Sequence, residues 1–171
     1  MTPSIEVRLT SVLHGLRDVV IPAIDPAEAL AIEQSSLILA QLDMLVKQLP
    51  YAERYHWLCR DDARATAAAI VAGAAGGPQS RAAAAGLADM LANDGDDPHA
   101  DYLVIAEGIA ALTAAAAEDA DAPWRARIDS AVLDFACRQN RRERVWFKDA
   151  GFDPDPAELP DLPTMCASPP A

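Results

Sequence analysis

Glu53 and His56 stand three residues apart in AERYHWLCRDD, residues 52–62. On a helix that spacing aims a carboxylate and an imidazole at one point. Carboxylate-bridged metal sites in helical bundles use it, with a Glu-x-x-His pair on each of two helices and a single Glu on each of two others. Glu107, alone in the apolar run YLVIAEGIAAL, could supply a lone carboxylate, and Glu33 another. The set is incomplete, because the chain holds no second Glu-x-x-His and His99 lies at a helix start behind Asp96. His56 shares a helical line with Ala52, Cys59, Ala63 and Ile70, whereas Glu53 lines up with Trp57, Arg60 and Arg64. The two therefore straddle the edge of a buried stripe, and Arg60 and Arg64 are placed to neutralise Glu53. The spacing calls for no resident cofactor. A metal ion at Glu53, His56 and Glu107, completed across an oligomer axis, is the sharp reading; a polar helix flank is the plain one.

Other chemistry is thinner. No G-x-S-x-G, phosphate-cradling glycine loop or dinucleotide fingerprint occurs. Asp94, Asp96 and Asp97 suggest a calcium loop, but an EF-hand closes with a bidentate Glu where this chain has Ile105, so turn and cap chemistry explains them better. Cys137 has Arg138 and Arg141 nearby to lower its pKa, yet reads more simply as a small buried residue. His14, four residues before Asp18, reads as half of a solvated flank pair.

The elements that must position these residues are helical. Ile5, Leu9, Val12, Leu13, Leu16, Val19, Val20 and Ile24 recur at three and four, predicting one amphipathic helix. Asp25, Pro26 and Glu28 read as a capping box opening a second helix that runs to Leu49. Pro50 either kinks that helix or opens the next, which runs from Tyr51 to about Ala75 and stops at Gly76-Gly77-Pro78. A fourth helix ends before Asn93, and Asp97-Pro98 opens a fifth that reaches Glu118. A sixth opens at Ala122-Pro123-Trp124 and stops near Gly151. Residues 152–171, rich in Pro and Asp, read as an extended acidic tail. The expectation is an all-α, up-and-down bundle of five to six helices over residues 1–151, followed by that tail.

The last helix carries an unusual charge. Seven of the fourteen basic residues lie in 124–148, which is net +4, while 149–171 is −5 and the whole chain −12. Three readings compete for Arg138, Arg141, Arg142 and Arg144 with Trp146 and Phe147. An acidic face or the tail neutralises the arginines; or residues 138–148 form a protein interface, since Arg and Trp are frequent hot spots; or the arginines hold a phosphate or carboxylate anion.

A chain this acidic repels phosphate backbones, which argues against nucleic-acid partners. Three scattered cysteines without zinc spacing suit reduced thiols in the cytoplasm. No run looks apolar enough for a membrane span, the alanine-rich ones being too weakly hydrophobic. The composition is 51% hydrophobic but only 5% aromatic, so each buried side chain removes little surface from water, and burying a further face against a second copy is favoured. A homo-oligomer, most simply a two-fold dimer, is expected.

Residues 16–24, LRDVVIPAI, followed by a Leu-rich helix, resemble a group of small bacterial helical proteins of unknown function. Those proteins tend to be encoded beside phosphotransferase-like kinases and acyl-CoA dehydrogenases. The resemblance covers about the first 50 residues and no catalytic motif. It implies an accessory role in acyl-CoA or kinase-linked metabolism. The expected function is thus a non-catalytic binding or accessory protein that self-associates and meets a partner through its basic last helix. The alternative is an enzyme or carrier with a site between helices near Glu53, His56 and Glu107.

Overall fold

A computed structural model describes residues 3–167, and its regular structure is helical throughout, with one isolated bridge pairing Gly76 and Ala120 and no strand among those residues. Helices α1 (Ile5–Gly15), α2 (Ala29–Gln48), α3 (Ala52–Val71), α4 (Pro78–Ala92), α5 (Pro98–Asp119) and α6 (Ala122–Trp146) are followed by a short α7 (Leu162–Ala167). The all-α expectation is met. By contact the described residues fall into two compact units. One compact unit comprises residues 3–52 and 144–162, and a second comprises 53–143 and 163–167. The segment after residue 152 is not uniformly extended: it carries a 3-10 turn at Pro156–Glu158 and α7, with Leu159 and Cys166 buried. Apolar residues spaced between its prolines find cover that its Pro- and Asp-rich composition does not reveal.

In the first unit the long helix predicted over residues 5–24 changes winding at Leu16. Pro22 has no N–H to return to Asp18 and crowds that turn. The ladder widens instead, so that Ile21 N–H donates to Leu16 five residues back in a π-turn (Leu16–Val20), and a 3-10 turn (Ile21–Ala23) follows. The extra residue rotates the stripe beyond Leu16, where Val19 and Val20 are exposed; before it Leu13 is buried and Val12 exposed. The predicted capping box does not form. Asp25 Oδ1 accepts Ala27 N–H at 2.9 Å in a local turn, and α2 starts at Ala29 without a side-chain cap. At Pro50 the chain neither breaks nor leaves helical dihedrals; a 3-10 turn (Leu49–Tyr51) absorbs the missing donor between α2 and α3.

The second unit is built on helix ends that close one another. Asp97 caps α5, accepting from His99 and Ala100 N–H at 2.9 and 3.2 Å, as its sequence predicts. Gly77 N–H donates to Asp119 O, and the Asp119 carboxylate accepts from Gln79 and Ser80 N–H, so the last residue of α5 caps the start of α4. Glycine is required there: Gly76 has φ +136°, and a Cβ on Gly77 would lie 2.2 Å from Asp119 Oδ2. Trp124 donates from Nε1 to Ile70 O at 2.9 Å, satisfying a carbonyl in the last turn of α3 that has no partner within the helix. The core under these closures is small-residue rich: Ala63, Ala67, Ala84 and Ala116 pack with Ile70, Leu87, Ile105, Leu112, Trp124 and Ile128.

Two consequences are measurable. Trp124→Phe keeps an aromatic ring but orphans the Ile70 carbonyl, and should destabilise the protein by about 1–3 kcal/mol in urea unfolding. The Asp119 carboxyl is held below its ordinary value of 3.8 by the Ser80 hydroxyl first, then by backbone N–H donors. A depressed folded pKa contributes stability that is complete above the unfolded value and lost as pH falls through the folded one. The stability difference between wild type and Asp119→Asn should therefore stay flat from neutral pH to about 5 and shrink below about 4.

Candidate functional site

The residues singled out by type and spacing fall into separate places. Glu53 and Glu107 are both exposed, and His56 is half-buried. Among the described residues no group of three or more His, Cys, Asp and Glu side chains is placed to hold a metal ion, so Glu53, His56 and Glu107 do not assemble as one. The reason is geometric. His56 stands against His99 at the start of α5, ring centroids 4.6 Å apart, and Glu107 lies two turns further along that helix, a rise of about 12 Å. His56 has its pKa lowered, by burial first and then by the His99 charge, while Asp97 opposes the shift.

Arg60 and Arg64 do not neutralise Glu53. Arg60 Nε donates to Asp101 at 2.7 Å and its guanidinium also pairs with Asp94, while Arg64 meets Asp101 at 2.9 Å and the Leu91 carbonyl at 2.6 Å. The Arg60 guanidinium also lies over the Trp57 ring at 4.7 Å. The acid that organises this side of α3 is thus Asp101, on the first turn of α5, which pattern reading passed over as one more helix-start carboxylate.

The basic stretch of α6 is neutralised largely from within the protein. Asp62, buried on α3, accepts from Arg138 Nε at 2.9 Å and from Arg142 Nη2. Arg138 also reaches the Thr66 hydroxyl at 3.2 Å, and Asp62 holds the Arg138 pKa above its ordinary value. Arg142 donates to Gln139 Oε1 at 2.7 Å, and Gln139 Nε2 in turn donates to Glu143. Tyr55 and Cys59 adjoin this network and both have raised pKa values, from burial in each case. Cys59 is thereby kept as an inert thiol. Cys137, expected to be buried, is exposed. In the other unit Arg144 forms a two-pronged pair with Asp153 at 2.8 and 3.0 Å, and Lys148 donates to the Leu159 carbonyl. Trp146 is half-buried and its carbonyl accepts from Gln48 Nε2, whereas Arg141 and Phe147 stay exposed.

Sequence reasoning missed Asp62 as the counter-charge of α6 and His99 as the neighbour of His56. Asp62 sits four residues before Thr66 and beside the line through Cys59, Ala63 and Ile70, which put it at the core edge. That position was the available signal. A groove of about 870 Å³ runs between α5 and α6, with Ala106, Ile109, Val132 and Phe135 as its apolar wall and Gln139 and Glu143 at its polar end. None of Glu53, His56 and Glu107 lines it.

The fold and these sites define an all-α protein with buried arginine–carboxylate networks. No family model, curated protein or solved structure matches the chain. Asp62→Ala should leave the Arg142 guanidinium stranded near the core and cost up to about 3 kcal/mol. That is the low end for breaking a buried pair, because the Arg138 side chain is 45% exposed. Arg141→Ala should change stability by less than about 0.5 kcal/mol in the same urea titration.

Proposed function

We propose that the protein is a helical accessory protein that acts by binding, and that it self-associates through α2. The observation that carries this is a charge-free exposed stripe: Leu30, Gln34, Leu37, Ile38, Gln41 and Leu45 all face solvent, with the apolar four between 49% and 69% exposed. They recur at i, i+4, i+7, i+8, i+11 and i+15, one line along the helix about 22 Å long. The occupant of this line is a second copy of the chain. A chain of net charge −12 repels its like, and an uncharged seam is where two copies approach at the least Coulombic cost. Glutamines within such a seam can pair with one another across a two-fold axis and fix its register.

Lipid is the competing occupant. Within the helical run Ala29–Val71 an 18-residue window has mean hydropathy 1.3 and is only 6% buried, and α5 contains a window of 1.4. Both are long and apolar enough by length and composition to cross a membrane, contrary to the expectation that no segment is; alanine, leucine and isoleucine around few charges raise the average. The second copy is favoured because Gln34 and Gln41 interrupt the stripe with amides that hydrocarbon would leave unsatisfied.

An up-and-down bundle in the second unit belongs to the same reading. It is supported by the pairing of Leu87 and Met90 with Gly108, of Ser80 with Asp119, and of Ile70 with Trp124, each of which sets neighbouring helices antiparallel. The partner surface first sought along residues 138–148 narrows to what the ion pairs leave open: Arg141 on one unit and, separately, Phe147 on the other. A reducing, cytoplasmic setting accords with three free cysteines, and the resemblance of the first 50 residues accords with service to an acyl-CoA or kinase-linked enzyme. The groove between α5 and α6 supports a second reading, a carrier of an apolar molecule with one polar end.

Sedimentation velocity across a wide concentration range tests the first reading. Wild type should sediment as a dimer, and the double variant Leu37→Glu, Ile38→Glu as a monomer with unchanged far-UV circular dichroism. A wild-type monomer at every concentration would refute it. Co-flotation of wild type, but not of the variant, with phosphatidylcholine vesicles would assign the stripe to a bilayer.

A further inference from the structure

His56 comes from the second turn of α3 and His99 from the first turn of α5, so two helices bring one imidazole each into ring contact. Among the described residues neither ring takes part in a hydrogen bond or ion pair with the protein. The ring centroids lie 4.6 Å apart with the planes inclined at 50°. A bound divalent ion sits about 2.0–2.1 Å from each imidazole nitrogen, which places each ring centroid about 3.2 Å from it. Two such rings at a right angle around one ion have centroids about 4.5 Å apart, and at the tetrahedral angle about 5.2 Å. The observed separation matches the right-angle case.

The surroundings suit a cation. Asp97, whose Oδ1 is engaged by two backbone N–H groups, interacts favourably with both histidines, and Asp96 lies in the same loop. Arg60, one turn after His56, is already committed to Asp94 and Asp101, so its charge is compensated. Burial and the neighbouring ring favour the neutral form of His56, which is the form that binds metal.

We propose that His56 and His99 form a two-histidine site for a divalent transition ion of tetragonal preference, Cu²⁺ or Ni²⁺, with water completing the coordination. The ion would tie the start of α5 to α3. This ligand set differs from Glu53, His56 and Glu107 in every residue but one, and it stands independently of self-association through α2. Nitrogen sites of this kind follow the order Ni²⁺ < Cu²⁺ > Zn²⁺.

The test is calorimetric titration of chelator-free full-length protein with NiCl2, CuCl2 and ZnCl2, each alone, in a non-coordinating buffer. Saturable binding of one ion per chain is expected for Cu²⁺ and Ni²⁺, with Cu²⁺ tightest. His56→Ala and His99→Ala should each weaken it at least tenfold. His14→Ala, Glu53→Gln and Glu107→Gln should leave it unchanged, and lowering the pH from 7.5 to 5.5 should weaken it. Circular dichroism of the variants, with His56→Asn as a second substitution at the half-buried position, separates loss of ligand from loss of fold. Absence of saturable binding, binding that survives both histidine replacements, dependence on Glu53 or Glu107, or one ion per two chains would each overturn the proposal.

Discussion

The second unit depends on one constraint: an alanine-rich core supplies cohesion but little register. Ala63, Ala67, Ala84 and Ala116 are almost fully buried, and a methyl group gives a facing helix neither a knob nor a deep hole. Two helices meeting over such surfaces could slide by a turn with small loss of contact. Arginine–carboxylate networks supply what the alanines lack. Asp62 holds Arg138 and Arg142, and Asp101 holds Arg60 and Arg64, so a one-turn slip of α5 or α6 against α3 would separate charges that are partly desolvated. Charges of this kind add little net stability compared with apolar residues of the same volume; what they give here is a single alignment. Both signs appear on α3, which makes it the helix against which the others are set.

The same logic explains what could be read from the sequence and what could not. The stop of α3 was placed too late, at Gly76-Gly77, since the helix ends at Val71 before the positive-φ Gly73. Other local features were legible: helix everywhere, the Asp97-Pro98 opening of α5, the proline at position 50 as a place of adjustment. Each rests on backbone chemistry within four residues. Partners distant in the chain were not legible. Arg60 and Arg64 look like partners of Glu53 because they follow it at i+7 and i+11 on one helical line, yet Asp101, about forty residues on, takes both. Nothing in residues 52–64 announces that competitor. Internal neutralisation of the α6 arginines was one of three readings, but net charge names no residues, and Asp62 was one of eighteen acidic residues outside α6 and the tail.

The first unit shows a different limit. Hydrophobic periodicity identifies faces that are apolar, not faces that are covered. Along α1 and the π-turn the eight stripe residues are read alike, but the chain buries Leu13 and leaves Val12 open within α1, and it leaves Val19 and Val20 open where Pro22 rewinds the helix. On α2 only Met44 and Gln48 are fully buried, although leucine and isoleucine take the larger part of its circumference, with Glu33, Ser36, Asp43 and Lys47 on the rest.

Glu-x-x-His illustrates how a spacing rule can name a pair that the fold separates. An i, i+3 pair shares a helix face to within about 60°, and ligation further requires that both side chains tip toward the same neighbour. Glu53 and His56 share the arc but lie on opposite sides of the edge where α3 meets α5, so Glu53 stays in solvent while His56 turns to His99. The histidine stands on the line through Cys59, which half-buries it. Its companion depended on where Asp97 starts α5, which in turn places His99 as the second residue of that helix and Asp101 as the fourth. One cap residue thereby sets both the imidazole contact and the carboxylate that draws Arg60 and Arg64 across, and the two arrangements stand or fall together.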